Sequence, residues 1–255
     1  TTLDLHTFQT NRVTDMSRMF DGDSQLESVF VSNMWVTGSV NASDDMFAGC
    51  TSITGEDGTT YDAGEVDVTK AHYDTGGYLR EGETQKLDYP TAYALYCADN
   101  HTLYFLYTDQ MLLNGMKFKP EGSDTKHVIT WYTTGSAVTS TGNNRPNWYS
   151  YTADIEHVVF ESSFSNVRPK SLAYWFFGCS SLSDITGWEN LKTAEVTNMR
   201  FLFANCRSLT TLDFSHFNTM KVTAMEGTFQ NCAALTELDL SNFITDKVYG
   251  KMLRR

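Results

Sequence analysis

No run of about 18 apolar residues occurs in this chain, which excludes a membrane-spanning helix. Basic residues are few: 19 Lys and Arg stand against 31 Asp and Glu, a formal charge of −12. Contact with a phosphate backbone needs a Lys/Arg surface, so nucleic acid is excluded as a partner. The acidic groups are spread rather than blocked, a distribution that solubility alone accounts for. GxSxG, HExxH and Walker sequences are absent. No CxxC offers two zinc ligands close together. The histidines at 6, 72, 101, 127, 157 and 216 fall in different segments without ligand spacing. Asp21-Gly22-Asp23 starts like a calcium loop but lacks its remainder and its final Glu. The expectation is a chain that is not an enzyme and holds no cofactor or metal. There is no initiating Met or signal peptide, and Thr1 to Leu5 opens in mid-phrase. The chain therefore reads as a processed or truncated piece, and the missing leader does not argue for the cytoplasm.

What is present is a period. Phe203-Ala204-Asn205-Cys206 is followed 26 residues later by Phe229-Gln230-Asn231-Cys232, and preceded 27 residues earlier by Phe176-Phe177-Gly178-Cys179. Phe20-Asp21-Gly22-Asp23 and Phe47-Ala48-Gly49-Cys50 repeat the phrase, again 27 apart. A fixed period of this size predicts a solenoid in which each unit buries its apolar face on the next. Four of the five cysteines share one repeat phase and Cys97 stands apart, a pattern that fits a column of small buried thiols better than a disulfide framework.

Within a unit, Leu212 and Phe214 alternate with Asp213, as do Leu238 and Leu240 with Asp239, and Leu3 and Leu5 with Asp4. This is the period of a short strand with one buried face. Met16, Met19 and Phe20, like Met199, Leu202 and Phe203, are spaced i, i+3, i+4 behind a Thr that can cap a helix. Each unit is thus read as strand, corner, short helix and return. The fold class expected is α/β, a right-handed leucine-rich-repeat-like solenoid interrupted by a β-rich capping insert. The exposed strand positions, Asp4, Phe30, Asp213 and Asp239, with Asp184, Thr211 and Glu237 flanking them, predict an acidic binding face with one aromatic.

Leu238-Asp239-Leu240-Ser241-Asn242-Phe243-Ile244-Thr245 and Val13-Thr14-Asp15-Met16-Ser17-Arg18-Met19-Phe20 resemble the 26-residue leucine-rich repeat of BspA-like bacterial surface proteins. The resemblance covers residues 1–56 and 156–255. It implies a surface-exposed or secreted protein, often a lipoprotein or wall-attached, that adheres to host extracellular-matrix or other surface proteins. It carries over no catalytic residue. Asp23 stands where the other units have Cys, and Ile185-Thr186-Gly187-Trp188-Glu189-Asn190-Leu191 replaces the expected strand with a glycine-bearing turn.

Four segments follow: the end of a first array (1–56), a closing cap (57–83), a β-rich insert (84–155) and a second array (156–255). In the insert, residues 91–97 and 102–107 read as a hairpin around a polar turn, with a third strand over 127–132; residues 155–160 open the second array as another strand. The insert is rich in aromatics. Most of these are expected to pack its core. Trp148, Tyr149 and Tyr151, after the polar loop 140–147, could instead form a recognition patch for a protein or a glycan. The leading function is a non-enzymatic adhesion scaffold. A structural spacer and a carbohydrate-binding insert are the alternatives.

Overall fold

The computed structural model describes residues 1–83, 85–139 and 145–249. The first part of the expected polar loop lies outside these. The chain forms two compact units, Thr1–Asp88 with Gln110–Lys117, and Tyr89–Asp109 with Phe118–Arg255.

The first unit contains a parallel sheet of Thr2–Asp4, Ser28–Val31 and Arg80–Glu81, with Leu3 opposite Val29, and Phe30 between Asp4 and Arg80. Val29 and Val31 are buried and Phe30 between them is only half-buried, the alternation of a one-faced strand. Behind the sheet, Phe20 stacks on Phe47 at 5.3 Å, and Phe47 meets the edge of Tyr78 at 5.3 Å. Each of these rings is buried, and burial stabilises by about 1.5–3 kcal/mol per large apolar side chain. The turn that carries Tyr78 is pinned by Asp57, whose carboxylate accepts from Thr59 Oγ1 at 2.5 Å, Thr59 N at 3.0 Å and Gly76 N at 2.9 Å. Those bonds, the Thr59 hydroxyl foremost, pull its pKa down to about 2.

The second unit holds a five-stranded mixed sheet in the order Asp184–Thr186, His157–Phe160, Thr102–Gln110, Lys86–Cys97, Trp131–Thr134. The first three strands run parallel, and the last pair is antiparallel with Tyr96 opposite Trp131. The core is aromatic. Phe105 stacks on Trp175 at 5.0 Å and on Phe160 at 4.7 Å, and the series continues through Phe176–Phe203 at 5.3 Å and Phe203–Phe229 at 6.2 Å.

The α/β leucine-rich-repeat-like solenoid of strands and short helices is not what forms. The described residues lie mostly in parallel and mixed sheets and turns. The one α-helical turn among them, Ser136–Thr139, lies in the insert, and the 3₁₀ segments also miss the expected helix positions. The reason is a left-handed residue two places after each expected helix start. Arg18, Asp45, Tyr174 and Phe201 hold φ between 54° and 63°, and Gly227 holds 62°. A second such residue follows four places on, at Gly22, Gly49, Gly178, Asn205 and Asn231. An α-helix cannot run through a left-handed L-residue, because Cβ meets the following carbonyl.

The backbone groups find other partners. Alternate N–H groups donate to the next unit: Met16 to Ala42, Arg18 to Asp44, Phe20 to Met46 and Gly22 to Ala48, at 2.7–2.9 Å. Leu172, Tyr174, Phe176 and Gly178 donate in the same way to Asn198, Arg200, Leu202 and Ala204. Met199, Phe201, Phe203 and Asn205 then donate to Ala224, Glu226, Thr228 and Gln230. The residues between them close tight turns, as Met19 does on Met16 and Asp21 on Arg18. The strands expected at 212–214 and 238–240 are also absent. There Asp213 Oδ1 accepts from Ser215 N at 2.8 Å and Asp239 Oδ1 from Ser241 N at 2.9 Å, local turns that compete with a ladder.

Candidate functional site

The acidic positions fall into two places. Asp4 and Phe30 belong to the first unit and sit on facing rungs of its sheet. Asp4 Oδ1 accepts from His6 N at 3.0 Å and lies 2.7 Å from His6 Nδ1. The backbone bond from His6 is the first cause of its lowered pKa, with the imidazole next.

In the second unit, Asp184 and Asp213 line one recess of about 340 Å³. Asp213 and Asp239 line an adjoining one of about 180 Å³. Leu212 and Asp213 belong to both. Asp184 is fixed by His157, whose Nδ1 lies 2.5 Å from its Oδ1, and by the hydroxyls of Ser183 and Thr186. Asp213 and Asp239 are each held below the usual carboxylate range, first by the backbone N–H of Ser215 and of Ser241 respectively. All three are exposed and ready to accept hydrogen bonds. Thr211 joins the larger recess, whereas Glu237 is exposed and lines neither.

The larger recess contains side chains that sequence reasoning did not assign to a site: Trp188, Glu189 and His216. Their signal was the interrupted strand phrase at 185–191. Gly187 permits the turn with φ 66°, and a Cβ there would lie 2.1 Å from the Phe160 carbonyl oxygen. The 3₁₀ segment Trp188–Asn190 follows and carries the indole against Phe217 at 4.9 Å, Phe160 at 5.5 Å and His216 at 6.0 Å. Trp188 is only 6% exposed, and its Nε1 has no hydrogen-bond partner; neither has Nε2 of His216. An unmet buried polar group costs about 1–3 kcal/mol. Burial lowers the His216 pKa, so this imidazole is neutral at neutral pH, although Asp213 acts in the other direction. His216 is half-buried in the recess wall.

The three aromatics of the insert do not form a patch. Trp148 is fully buried, with its Nε1 donating to the Trp175 carbonyl at 2.7 Å. Tyr151 packs on Tyr96 at 4.8 Å and Trp131 at 5.9 Å. Tyr149 alone is paired toward the surface, where the Arg145 guanidinium lies 4.1 Å from its ring centre, a cation–π contact.

Among the described residues, no group of three or more His, Cys, Asp or Glu is placed to hold a metal ion. No helix there is long and apolar enough to cross a membrane.

A family model described as "Mycoplasma protein of unknown function, DUF285" matches residues 1–78 and 170–253, more than half of the chain. The unmatched stretch, 79–169, contains the β-rich insert. No curated protein matches the sequence. No solved structure matches it either.

Proposed function

This chain belongs to the DUF285 family, and from that premise we propose that it is a non-enzymatic adhesion scaffold of the bacterial cell surface, or a secreted one. The observation that carries the reading is the pair of adjoining recesses lined by Asp184, Asp213 and Asp239. They present fixed hydrogen-bond acceptors on a rigid aromatic support, with no activated nucleophile beside them. The resemblance of Val13–Phe20 and Leu238–Thr245 to BspA-like surface proteins supports the same reading. Host extracellular-matrix proteins and other surface proteins are the partner classes it implies. Reading the aromatic insert as the carbohydrate-binding part loses its leading residue, since Trp148 is core.

The test is capture of the whole chain on immobilised matrix proteins and on intact cells, beside the triple variant D184N/D213N/D239N. Asparagine keeps the Oδ1 that accepts from Ser215 and Ser241, so the turns persist. Binding that falls about tenfold or more in the folded variant supports the scaffold reading. Equal binding by both chains removes the recesses from it. Failure of the wild-type chain to bind anything favours a spacer.

A further inference from the structure

Asp184–Thr186 is the last strand of the five-stranded sheet and pairs only with His157–Phe160. The array itself does not stop there. On the turn side, Leu172, Tyr174, Phe176 and Gly178 donate to the unit beyond, and Met199, Phe201, Phe203 and Asn205 donate to the one after it. On the strand side the next two phrases, 211–214 and 238–240, follow at the repeat spacing. Among the described residues, no backbone hydrogen bond joins either phrase to a neighbouring unit. The units are stacked along one side and unzipped along the other.

Burial records the opening. Val158 is fully buried, but Ile185 opposite it and Leu212, 27 residues further on, are only half-buried, and so are Leu238 and Leu240. The recess of about 340 Å³ lies along this line, bordered by Ser183, Asp184 and Ile185 from one unit and by Thr211, Leu212 and Asp213 from the next. A free sheet edge is a template for another strand. Ser183 N donates to the Glu156 carbonyl at 2.9 Å, toward the sheet, so the N–H groups of Asp184 and Thr186 turn away from it. Side chains of an added strand alternate. One set meets Ile185 and Leu212, which calls for apolar residues. The other meets Asp184, Glu189 and Asp213, which repel an acidic segment and attract Lys or Arg.

We infer that the free edge of Asp184–Thr186 takes an extended peptide segment of a partner protein as an added strand, in which apolar side chains on Ile185 and Leu212 alternate with basic ones on Asp184 and Asp213. This rests on the surface-binding reading above and names the partner's chemistry at the recess.

The experiment titrates the whole chain with the peptide acetyl-Lys-Val-Lys-Val-Lys-Val-amide, with two forms of it N-methylated at the lysines or at the valines, and with its Glu-Val counterpart. Amide hydrogen exchange is followed at Asp184 and Thr186. The variants T186P, which removes an outward N–H where an edge strand tolerates proline, and D184N/D213N run in parallel. Circular dichroism melts establish that each is folded, and matrix-protein and cell capture is measured on the same preparations. The expected result is that the Lys peptide binds and slows exchange at both amides, while the Glu peptide does not bind. N-methylation in one phase but not the other, T186P and D184N/D213N should each weaken binding about tenfold.

No binding of the Lys peptide overturns the inference. So does binding that both N-methylated forms retain in full and that leaves exchange at Asp184 and Thr186 unchanged, since such a site reads charge and not backbone. These readouts use the wild-type chain and decide even where T186P fails to fold. Equal binding of the Glu peptide overturns the basic character assigned to the partner. If the chain refuses the peptide but binds matrix proteins or cells, only the added strand has failed; if it binds neither, the surface-binding reading falls with it.

Discussion

The thiol of Cys206 donates to the carbonyl oxygen of Phe176, 3.0 Å away and 30 residues earlier. Cys50 does the same to Phe20 at 2.9 Å, and Cys232 to Phe203 at 3.1 Å. The column of small buried thiols read from the sequence thus has a second duty. Each adds a second hydrogen bond to a carbonyl in the turn one unit back that already accepts from a backbone N–H, of Cys179, Asp23 and Cys206 respectively. Substitution by alanine removes both the donor and the sulfur volume. C206A should therefore lower stability by about 1–3 kcal/mol. Denaturant unfolding measures it, and an unchanged midpoint would show that the Phe176 carbonyl does not need the thiol.

The same burial governs reactivity. It pushes the thiol pKa of Cys50 and Cys232 up to about 11 and that of Cys97 to about 12, while Cys179 and Cys206 are also driven upward, all chiefly by desolvation. Thiolate is the reactive form, so at pH 8 a disulfide reagent should label the folded protein slowly at all five positions. In denaturant all five should react at once. Rapid labelling of any one in the native state would contradict its burial.

Glu161 holds the backbone of Glu121, and Glu121 in turn holds that of Ser162. Glu161 accepts from Glu121 N at 3.1 and 3.0 Å, and Glu121 accepts from Ser162 N at 2.9 Å and Ser162 Oγ at 2.8 Å. Burial raises the pKa of Glu161, whereas the Ser162 hydroxyl and N–H lower that of Glu121. The raised group contributes stability below its unfolded value near 4.5 and loses it as pH rises through the folded value. The lowered group contributes above its unfolded value and loses it as pH falls through its folded value. One proton on the pair is thus the most stable state, reached in mild acid. E161Q keeps a neutral side chain and an acceptor, so it should compare more favourably with the wild type at pH 7 than at pH 4.5. The difference should be on the order of 1 kcal/mol. A pH-independent gap in thermal or denaturant unfolding would disprove the coupling.

The left-handed positions make opposite predictions by residue type. At Gly227, φ is 62° and a Cβ would lie 2.5 Å from Cε1 of Phe201, so G227A should destabilise by about 1–3 kcal/mol. At exposed Arg18, φ is 58° with a Cβ already present, so R18G should be neutral or stabilise by up to about 1 kcal/mol. Melting curves of the two variants separate the cases, and a shift of both in the same direction would reject the backbone argument.

Much of the core was readable from spacing. The Phe20–Phe47 and Phe176–Phe203–Phe229 phases mark rings that do stack, and the strands around 91–97, 102–107 and 155–160 lie close to where β-rich runs placed them. Conformation was less legible. The i, i+3, i+4 spacing of Met199, Leu202 and Phe203 suits a helix, yet a tight turn with a left-handed Phe201 buries the same three side chains. Hydrophobic period alone does not distinguish the two. The site was half readable. Asp213 and Asp239 were read as exposed strand positions with Asp184 flanking them, but Trp188 joins them through Gly187, where the repeat breaks its own pattern. Asp4 and Phe30 were grouped with them by phase and belong to the other unit.

The alternate N–H ladder has a mechanical consequence. The four bonds that tie residues 16–22 to residues 42–48 sit side by side at one spacing. Tension that pulls these two segments apart loads the four bonds together, so they hold and fail as one set. Extension under force should then advance in steps of a unit, each releasing roughly 90 Å of chain for about 26 residues. A molecule built in this way yields by lengthening, and what stands behind the lost unit remains folded to take up the load.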